Sequence, residues 1–200
     1  MNRDAAPQSG RRALLAAALS LGVQQRCWAS PPRSGDDVTT FHLGGMLDLS
    51  DTQGRARRLA DFRGKAVLFF FGYTRCPDVC PTTLLRMAET MRLLGGESAR
   101  TQVLWMTVDP ERDSAALLAN YVTAFNRGFL GLRGSRRQTD AVVDAYKIQY
   151  DITYHKDEVL VSHSSFGYLI DPRGRTRVRI RYDATPEQIA ADVRELLATA

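Results

Sequence analysis

The sequence predicts an α/β domain in which helices flank a central mixed β-sheet, and three observations support this. Residues 66–71 are a continuous apolar run, which is typical of a strand buried on both faces of a sheet. Apolar residues then recur at helical spacing over 84–94, before Gly95-Gly96 ends the helix. Near the C-terminus, residues 171–174 form a turn between two strands, and a last helix follows. This order, βαβ and then ββα, is the arrangement of the thioredoxin fold.

The other elements follow from the same kinds of pattern. Residues 41–49 and the stretch after Gly54 are expected to pair as short strands, which would form an N-terminal strand extension of the fold. The remaining predicted elements are a strand over 102–108, a helix from about Ser114 through Phe125, a short strand over 129–132, a helix over 135–146, strands over 166–170 and 176–182, and a helix that opens near Pro186.

Length and composition are those of one globular domain. The chain has 200 residues, of which 44% are hydrophobic and 24% charged. The formal net charge is +5, but without residues 1–29 there are 23 basic against 21 acidic residues, a net of +2. The basic clusters at 55–58 and 173–181 are typical of a solvated surface, because they do not concentrate on one helix or face. We therefore expect no nucleic-acid partner.

The N-terminus is typical of an export signal. Arg11-Arg12 precede an apolar run over 13–23, and Ala29 offers a small residue before a cleavage point at Ser30. The run is about half of the roughly twenty residues that cross a bilayer, which favours a cleaved signal over an anchor. The paired arginines resemble a twin-arginine signal.

These features predict a domain organisation and a location. The signal peptide is expected over 1–29, taking Cys27 with it, followed by a polar, proline-containing linker over 30–40 and one domain over 41–200. The predicted location is the periplasm. The alternative is an uncleaved segment that anchors the domain to the inner membrane, facing the periplasm.

Cys76 and Cys80 would be the two cysteines of the processed chain. A disulfide between them closes a very short loop and adds little stability, so the pair is typical of redox or metal chemistry. Both thiols should lie at the carboxyl end of the central strand, where open α/β sheets place their sites. Pro81 disfavours an earlier start of the helix, which is expected to begin near Cys80 and to favour the thiolate at its N-terminus.

Three histidines could complete a metal site beside these thiols. Two thiolates are soft ligands that suit Cu(I), and an added imidazole would suit Cu(II) as well. His42, at the start of a predicted strand, and His155, in a polar loop, are interpreted as surface residues. His163 directly precedes the strand expected opposite the cysteine turn, near the position of the cis-proline in thioredoxin-like enzymes. Spacing alone leaves His163 open between a ligand and a packing residue.

Several segments of the chain resemble the Sco/SenC family. They are 61–65 (DFRGK), 70–74 (FFGYT), 76–84 (CPDVCPTTL), 107–113 (TVDPERD), His163-Ser164, 168–171 (YLID) and Gly174-Arg175. The resemblance covers about Phe41 to the C-terminus. It implies a thioredoxin-like fold, copper held by Cys76, Cys80 and His163, and a role in building the copper centre of cytochrome c oxidase. One position departs from the family, which usually has an acidic residue where this chain has Ser162.

The predicted function is a copper metallochaperone that delivers copper to, or assembles, the copper centre of cytochrome c oxidase. The expected partners are the copper-bearing subunit of that oxidase and another copper chaperone as donor. The alternative is a thiol–disulfide reductase, with Cys76 and Cys80 as its redox-active pair, that keeps target cysteines reduced. A peroxidase is a third hypothesis. A reductase does not need His163 and a three-ligand copper site does, although one dithiol could serve both functions.

Four acidic residues lie near the expected site. Asp78, between the cysteines, could tune the thiols, face a partner or be a solvated turn residue. Asp109 and Glu111 follow a central strand and should border the site, and their roles stay open. Asp113 is predicted to cap the helix that follows it.

Overall fold

The computed structural model describes residues 32–155 and 158–199, with side chains described outside 154–160. The expected signal peptide over 1–29 therefore lies outside the described residues, as does the start of the expected linker. Within the described ranges, no helix is both long and apolar enough to span a bilayer.

The chain forms four α-helices and ten strands in the described ranges. The helices are α1 (Val79–Leu94), α2 (Ala115–Phe125), α3 (Arg136–Ala145) and α4 (Pro186–Ala198). The strands are β1 (Gly35–Asp37), β2 (Leu49–Asp51), β3 (Ala56–Arg57), β4 (Ala66–Gly72), β5 (Thr101–Thr107), β6 (Leu130–Arg133), β7 (Tyr150–His155), β8 (Glu158–His163), β9 (Gly167–Ile170) and β10 (Thr176–Ile180).

Eight of the strands form one mixed sheet in the order β1-β10-β9-β4-β5-β6-β2-β3. β4, β5 and β6 run parallel, and β9 pairs antiparallel with β4 on its other side. β7 and β8 form a separate two-stranded antiparallel sheet. The predicted thioredoxin-like architecture, a central mixed sheet flanked by helices, is confirmed.

β4 is the centre of the molecule. All seven of its residues are buried, because alternate side chains enter two hydrophobic cores on opposite faces of the sheet. Phe69 packs in one core and Phe70 in the other. The sequence prediction of a strand buried on both faces is thus confirmed. The turn that contains Cys76 directly follows this buried strand.

α1 begins one residue before Cys80. Pro81 lies in the first turn, where a residue needs no amide hydrogen for the helical ladder, so the ring is accommodated. The helix ends at Leu94, and Gly95 follows with a positive φ of 55°, which glycine adopts readily.

The folded domain starts before the expected boundary at Phe41. β1 pairs with β10, and Ser34 is fully buried, with its amide and hydroxyl donating to Asp192 at 2.8 Å and 2.6 Å. The expected linker over 30–40 is therefore wrong for its second half. A three-residue strand contributes too few apolar residues to show a pattern in the sequence.

Two other predictions need correction. The strand expected over 41–49 is only Leu49–Asp51, since Gly44 and Gly45 both adopt positive φ and interrupt any extended run before it. The hairpin of β7 and β8 was not predicted, and His155 was expected in a polar loop. His155 instead ends β7.

Candidate metal centre

The two cysteines lie where β4 passes into α1. Cys76 is on the connecting turn and is partly buried, whereas Cys80 is in the first turn of the helix and is fully buried. Both are free thiols, and the Cys80 amide donates to Cys76 Sγ at 3.4 Å. The turn therefore directs both sulfur atoms toward one point at the end of the sheet.

His163, the last residue of β8, reaches the same point from the opposite side. Its Nε2 lies 3.6 Å from Cys80 Sγ, and its Nδ1 lies 2.8 Å from the carbonyl oxygen of Ser164. The potential ligand atoms of the two cysteines and the histidine all lie within 4.8 Å of one another. No other group of three or more potential metal-ligating side chains occurs within residues 32–153 and 161–199, whose side chains are described.

The Ser164 carbonyl fixes the orientation and the neutral tautomer of the His163 ring. A carbonyl oxygen can only accept, so Nδ1 donates its hydrogen to it, and the neutral ring leaves an unprotonated Nε2 that faces Cys80. A ligand histidine usually has such an orienting partner, and the family that the sequence resembles usually has an acidic residue before this histidine. Ser162 does not need to supply it here, since a backbone carbonyl on the other side of His163 does.

Burial dominates the electrostatics of the site. It raises the pKa of the Cys80 thiol, and the nearby Cys76 thiol raises this pKa further. The expectation that the start of the helix would favour the Cys80 thiolate is therefore wrong for the metal-free protein. Burial also lowers the pKa of His163, although the Ser164 carbonyl opposes this, so the imidazole is neutral at pH 7. A neutral imidazole can bind a metal, and Cys80 must give up its proton to do so.

Two residues that were not predicted as site residues, Gly72 and Tyr73, shape the site. Gly72 ends β4, and a Cβ placed on it would lie 2.7 Å from Cys80 Sγ and 2.1 Å from a ring carbon of Trp105. Only glycine fits there. The Tyr73 and His163 rings pack edge-to-face with their centroids 5.9 Å apart, and the Tyr73 hydroxyl donates to the Val161 carbonyl at 3.3 Å. In the sequence, both residues were noted only as part of segment 70–74, which resembles the family, and not as residues of the site.

Asp113 was predicted to cap α2, but this prediction is wrong. Ser114 is the N-cap, and its hydroxyl oxygen accepts from the Leu117 amide at 3.2 Å. The Asp113 carboxylate is fully buried and accepts instead from the Thr74 amide and from the hydroxyls of Thr74 and Thr107.

The other acidic candidates stand apart from the three-residue group. Asp109 is buried in an ion pair with Arg112, and Glu111 forms an ion pair with Arg136. Asp78 is exposed, where its carboxylate accepts from the Thr82 hydroxyl at 3.4 Å, as a solvated turn residue would.

The other two histidines also lie elsewhere. His42 is exposed and follows a 3₁₀ helix with φ 50°, so it is on the surface as predicted but is not in a strand. His155 pairs with Glu158 at the turn of the hairpin, at the opposite end of the ladder from the pair of Tyr150 with His163.

The fold and the site together define a class of protein. It is a thioredoxin-like protein in which a Cys-x-x-x-Cys turn faces a histidine, so that two sulfur atoms and one imidazole nitrogen can share a metal ion. The chain matches the SCO1/SenC family over residues 36–198. It belongs to this family, and the resemblance seen in the sequence is confirmed.

Relatives and solved structures agree with this assignment. The protein SCO2 homolog, mitochondrial, of Bos taurus is 40% identical over 159 residues, which are 77% of this chain and 59% of that protein. A SCO2-like protein of Rickettsia felis is 33% identical over 74% of this chain and 73% of its own length. The structure of Bradyrhizobium japonicum ScoI with copper bound is similar with a TM-score of 0.72 and 35% identity, over 77% of this chain and 99% of that one.

Proposed function

We propose that this protein is a copper metallochaperone that holds one copper ion with Cys76, Cys80 and His163. The observation that carries the proposal is that the two sulfur atoms and an imidazole nitrogen lie within 4.8 Å of one another. The similar Bradyrhizobium japonicum protein holds copper, which supports copper as the metal.

The ligand set suits both oxidation states of copper. Two soft thiolates can hold Cu(I) at low coordination number, and the imidazole supplies the nitrogen donor that Cu(II) prefers. Cys80 is fully buried, whereas Cys76 is partly exposed beside the exposed Arg75 and Pro77. We propose that an incoming partner ligand displaces Cys76 first, because that sulfur is the more accessible of the two.

We further propose that the copper is delivered to the copper-bearing subunit of cytochrome c oxidase and is received from another copper chaperone. The support is membership of the SCO1/SenC family and the resemblance of the cysteine motif. The proposed location is the periplasm, either as a processed protein or held at the inner membrane. It rests on the composition of residues 1–29.

A competition titration against a Cu(I) chelator tests the proposal. The wild-type protein should bind one Cu(I), and Cys76→Ala and Cys80→Ala should each abolish tight binding, because a single thiolate remains. His42→Ala is the matched control, since this ring is exposed and apart from the site. Wild-type affinity in both cysteine variants would show that the pair is not the site.

The same titration on oxidised protein tests whether the redox-active pair and the metal ligands are the same two sulfur atoms. His163 Nε2 lies 3.6 Å from Cys80 Sγ, a placement that a three-ligand copper site requires and a dithiol reductase does not. A disulfide between Cys76 and Cys80 should exclude copper, because ligation needs both sulfur atoms as thiolates. If fully oxidised protein, with no free thiol by mass spectrometry after alkylation, binds copper as well as reduced protein, the metal site lies elsewhere.

A further inference from the structure

Asp113 is a buried carboxylate that lies outside the proposed ligand set. It is fully buried, yet it directly precedes a helix whose cap is supplied by Ser114. A buried carboxylate costs free energy unless hydrogen bonds satisfy it, so its partners show what it holds in place.

The partners of Asp113 connect two neighbouring strands of the sheet. Oδ2 accepts from the Thr74 amide at 3.0 Å and from the Thr107 hydroxyl at 2.6 Å, and Oδ1 accepts from the Thr74 hydroxyl at 2.6 Å. Thr107 is the last residue of β5, and Thr74 follows β4 on the turn to Cys76. The carboxylate therefore fastens the cysteine turn to the end of β5.

Cys76 has fewer constraints of its own than Cys80. Cys80 is set by α1 and by burial against Gly72, whereas Cys76 lies on an irregular turn two residues after Thr74. The Cys76 amide donates to the Tyr73 carbonyl at 3.3 Å. The hydrogen bonds of Thr74 to Asp113 therefore hold the turn at a point between the end of β4 and Cys76.

We propose that Asp113 is a positioning residue that sets Cys76 Sγ at the distance from Cys80 and His163 at which one copper ion can be shared. The inference rests on the proposed copper site. It assigns to Asp113 the placement of a ligand, acting through the two hydrogen bonds that hold Thr74. A site of three ligands loses affinity when one of them is displaced by a fraction of an ångström.

The test compares Asp113→Ala with Asp113→Asn. Asn can keep an oxygen for the Thr74 amide and the Thr107 hydroxyl, while its NH₂ group donates to the Thr74 hydroxyl oxygen, so it should preserve the turn. Cu(I) affinity should fall by about tenfold or more in Asp113→Ala, as expected when several hydrogen bonds are lost, and should stay within about threefold of wild type in Asp113→Asn. The sulfur-to-Cu(II) absorption band should shift in Asp113→Ala alone.

Asp171→Ala is the matched control for general loss of stability. Asp171 is also buried, and its carboxylate accepts from the amides of Arg173 and Arg175. It follows Ile170, which pairs with Val67 near the start of β4, so it lies at the end of the strand away from Cys76. This variant should lower the melting temperature and leave the copper band and Cu(I) affinity unchanged.

Thr74→Val provides a second route if Asp113→Ala does not fold. It removes the 2.6 Å hydroxyl contact and keeps the amide contact, so the same band should shift by less. Wild-type affinity and an unshifted band in folded Asp113→Ala, or in Thr74→Val where that is the variant available, would overturn the positioning role. Failure of the wild-type protein to bind copper would instead overturn the proposed function, so the two failures are distinguishable.

Discussion

The cysteine turn and the histidine hairpin meet at one site but are held in different ways. The cysteines follow β4, a strand with seven buried residues at the centre of the main sheet, and Cys80 is itself part of a core. His163 ends β8, and β7 and β8 pair only with each other among the described strands.

Among residues whose side chains are described, few polar contacts join the hairpin to the rest of the domain. The Tyr73 hydroxyl donates to the Val161 carbonyl, and Arg136 Nη1 donates to the Tyr150 hydroxyl at 2.8 Å. Tyr150 also donates to Asp140 and is the residue that pairs with His163. The difference indicates that Cu(I) binding depends chiefly on the rigid cysteine turn, whereas Cu(II) binding depends on where the hairpin places the imidazole.

The largest effect on stability and Cu(I) affinity should come from a substitution that disturbs the cysteine turn. In Gly72→Ala the new methyl group would meet Cys80 Sγ at 2.7 Å and Trp105 at 2.1 Å, so the core must shift. We expect a loss of about 1–3 kcal/mol in the free energy of unfolding and about a tenfold or greater loss of Cu(I) affinity. Denaturant unfolding and chelator competition measure the two. Gly96→Ala, where a Cβ meets nothing within 4 Å, should change neither.

The burial of Cys80 should also be visible in the pH dependence of stability without metal. Because burial raises its pKa, the folded protein keeps this proton at pH values where the unfolded chain, with a cysteine pKa of about 8.5, has lost it. This stabilising contribution is complete below about pH 8.5 and is lost as the pH rises through the folded pKa.

Urea unfolding of the metal-free protein at about pH 8 and pH 9.5 measures this effect around the unfolded pKa. The free energy of unfolding should decrease between the two in the wild type and decrease less in Cys80→Ser. An equal decrease in both proteins would show that Cys80 is not held in its protonated form by burial in the folded protein.

A smaller effect is expected from the anchor of the hairpin. Tyr150→Phe removes the hydroxyl that accepts from Arg136 and donates to Asp140. The lost hydrogen bonding contributes about 1 kcal/mol to holding the hairpin in place, which corresponds to roughly a fivefold change in an equilibrium constant. Cu(II) affinity should fall by about that factor, and Cu(I) affinity should change by less than about twofold. Tyr182→Phe, at a more exposed ring that contacts Arg86, serves as the matched control. Equal losses of Cu(I) and Cu(II) affinity would argue against separate roles for the cysteine turn and the hairpin.

The same division explains what the sequence could predict. β4 and α1 were predictable because long apolar patterns and a specific cysteine spacing define them. The hairpin was missed because its charged residues around 155–158 suggested a loop, and antiparallel pairing between two short segments leaves little periodic signal. His163 was nevertheless identified as a candidate, by its place before β9 and by the resemblance to the family.

Contacts between distant residues were not predictable. Asp113 lies beside Ser114, so a capping role was reasonable, but its carboxylate bonds Thr74, 39 residues earlier in the chain. The orienting contact of His163 was also missed because a backbone carbonyl has no sequence signature. Sequence patterns report local periodicity, and these contacts depend on how the elements pack.

The most direct test of the proposed three-ligand site is the spectrum of the Cu(II) form of His163→Ala. We expect Cu(II) affinity to fall far more than Cu(I) affinity, because two thiolates can hold Cu(I) without a nitrogen donor. The visible sulfur-to-copper band and the electron paramagnetic resonance spectrum should both change. His42→Ala and His155→Ala should leave both spectra unchanged. Unchanged spectra in His163→Ala, or loss of the band in His155→Ala, would show that a different histidine binds the metal.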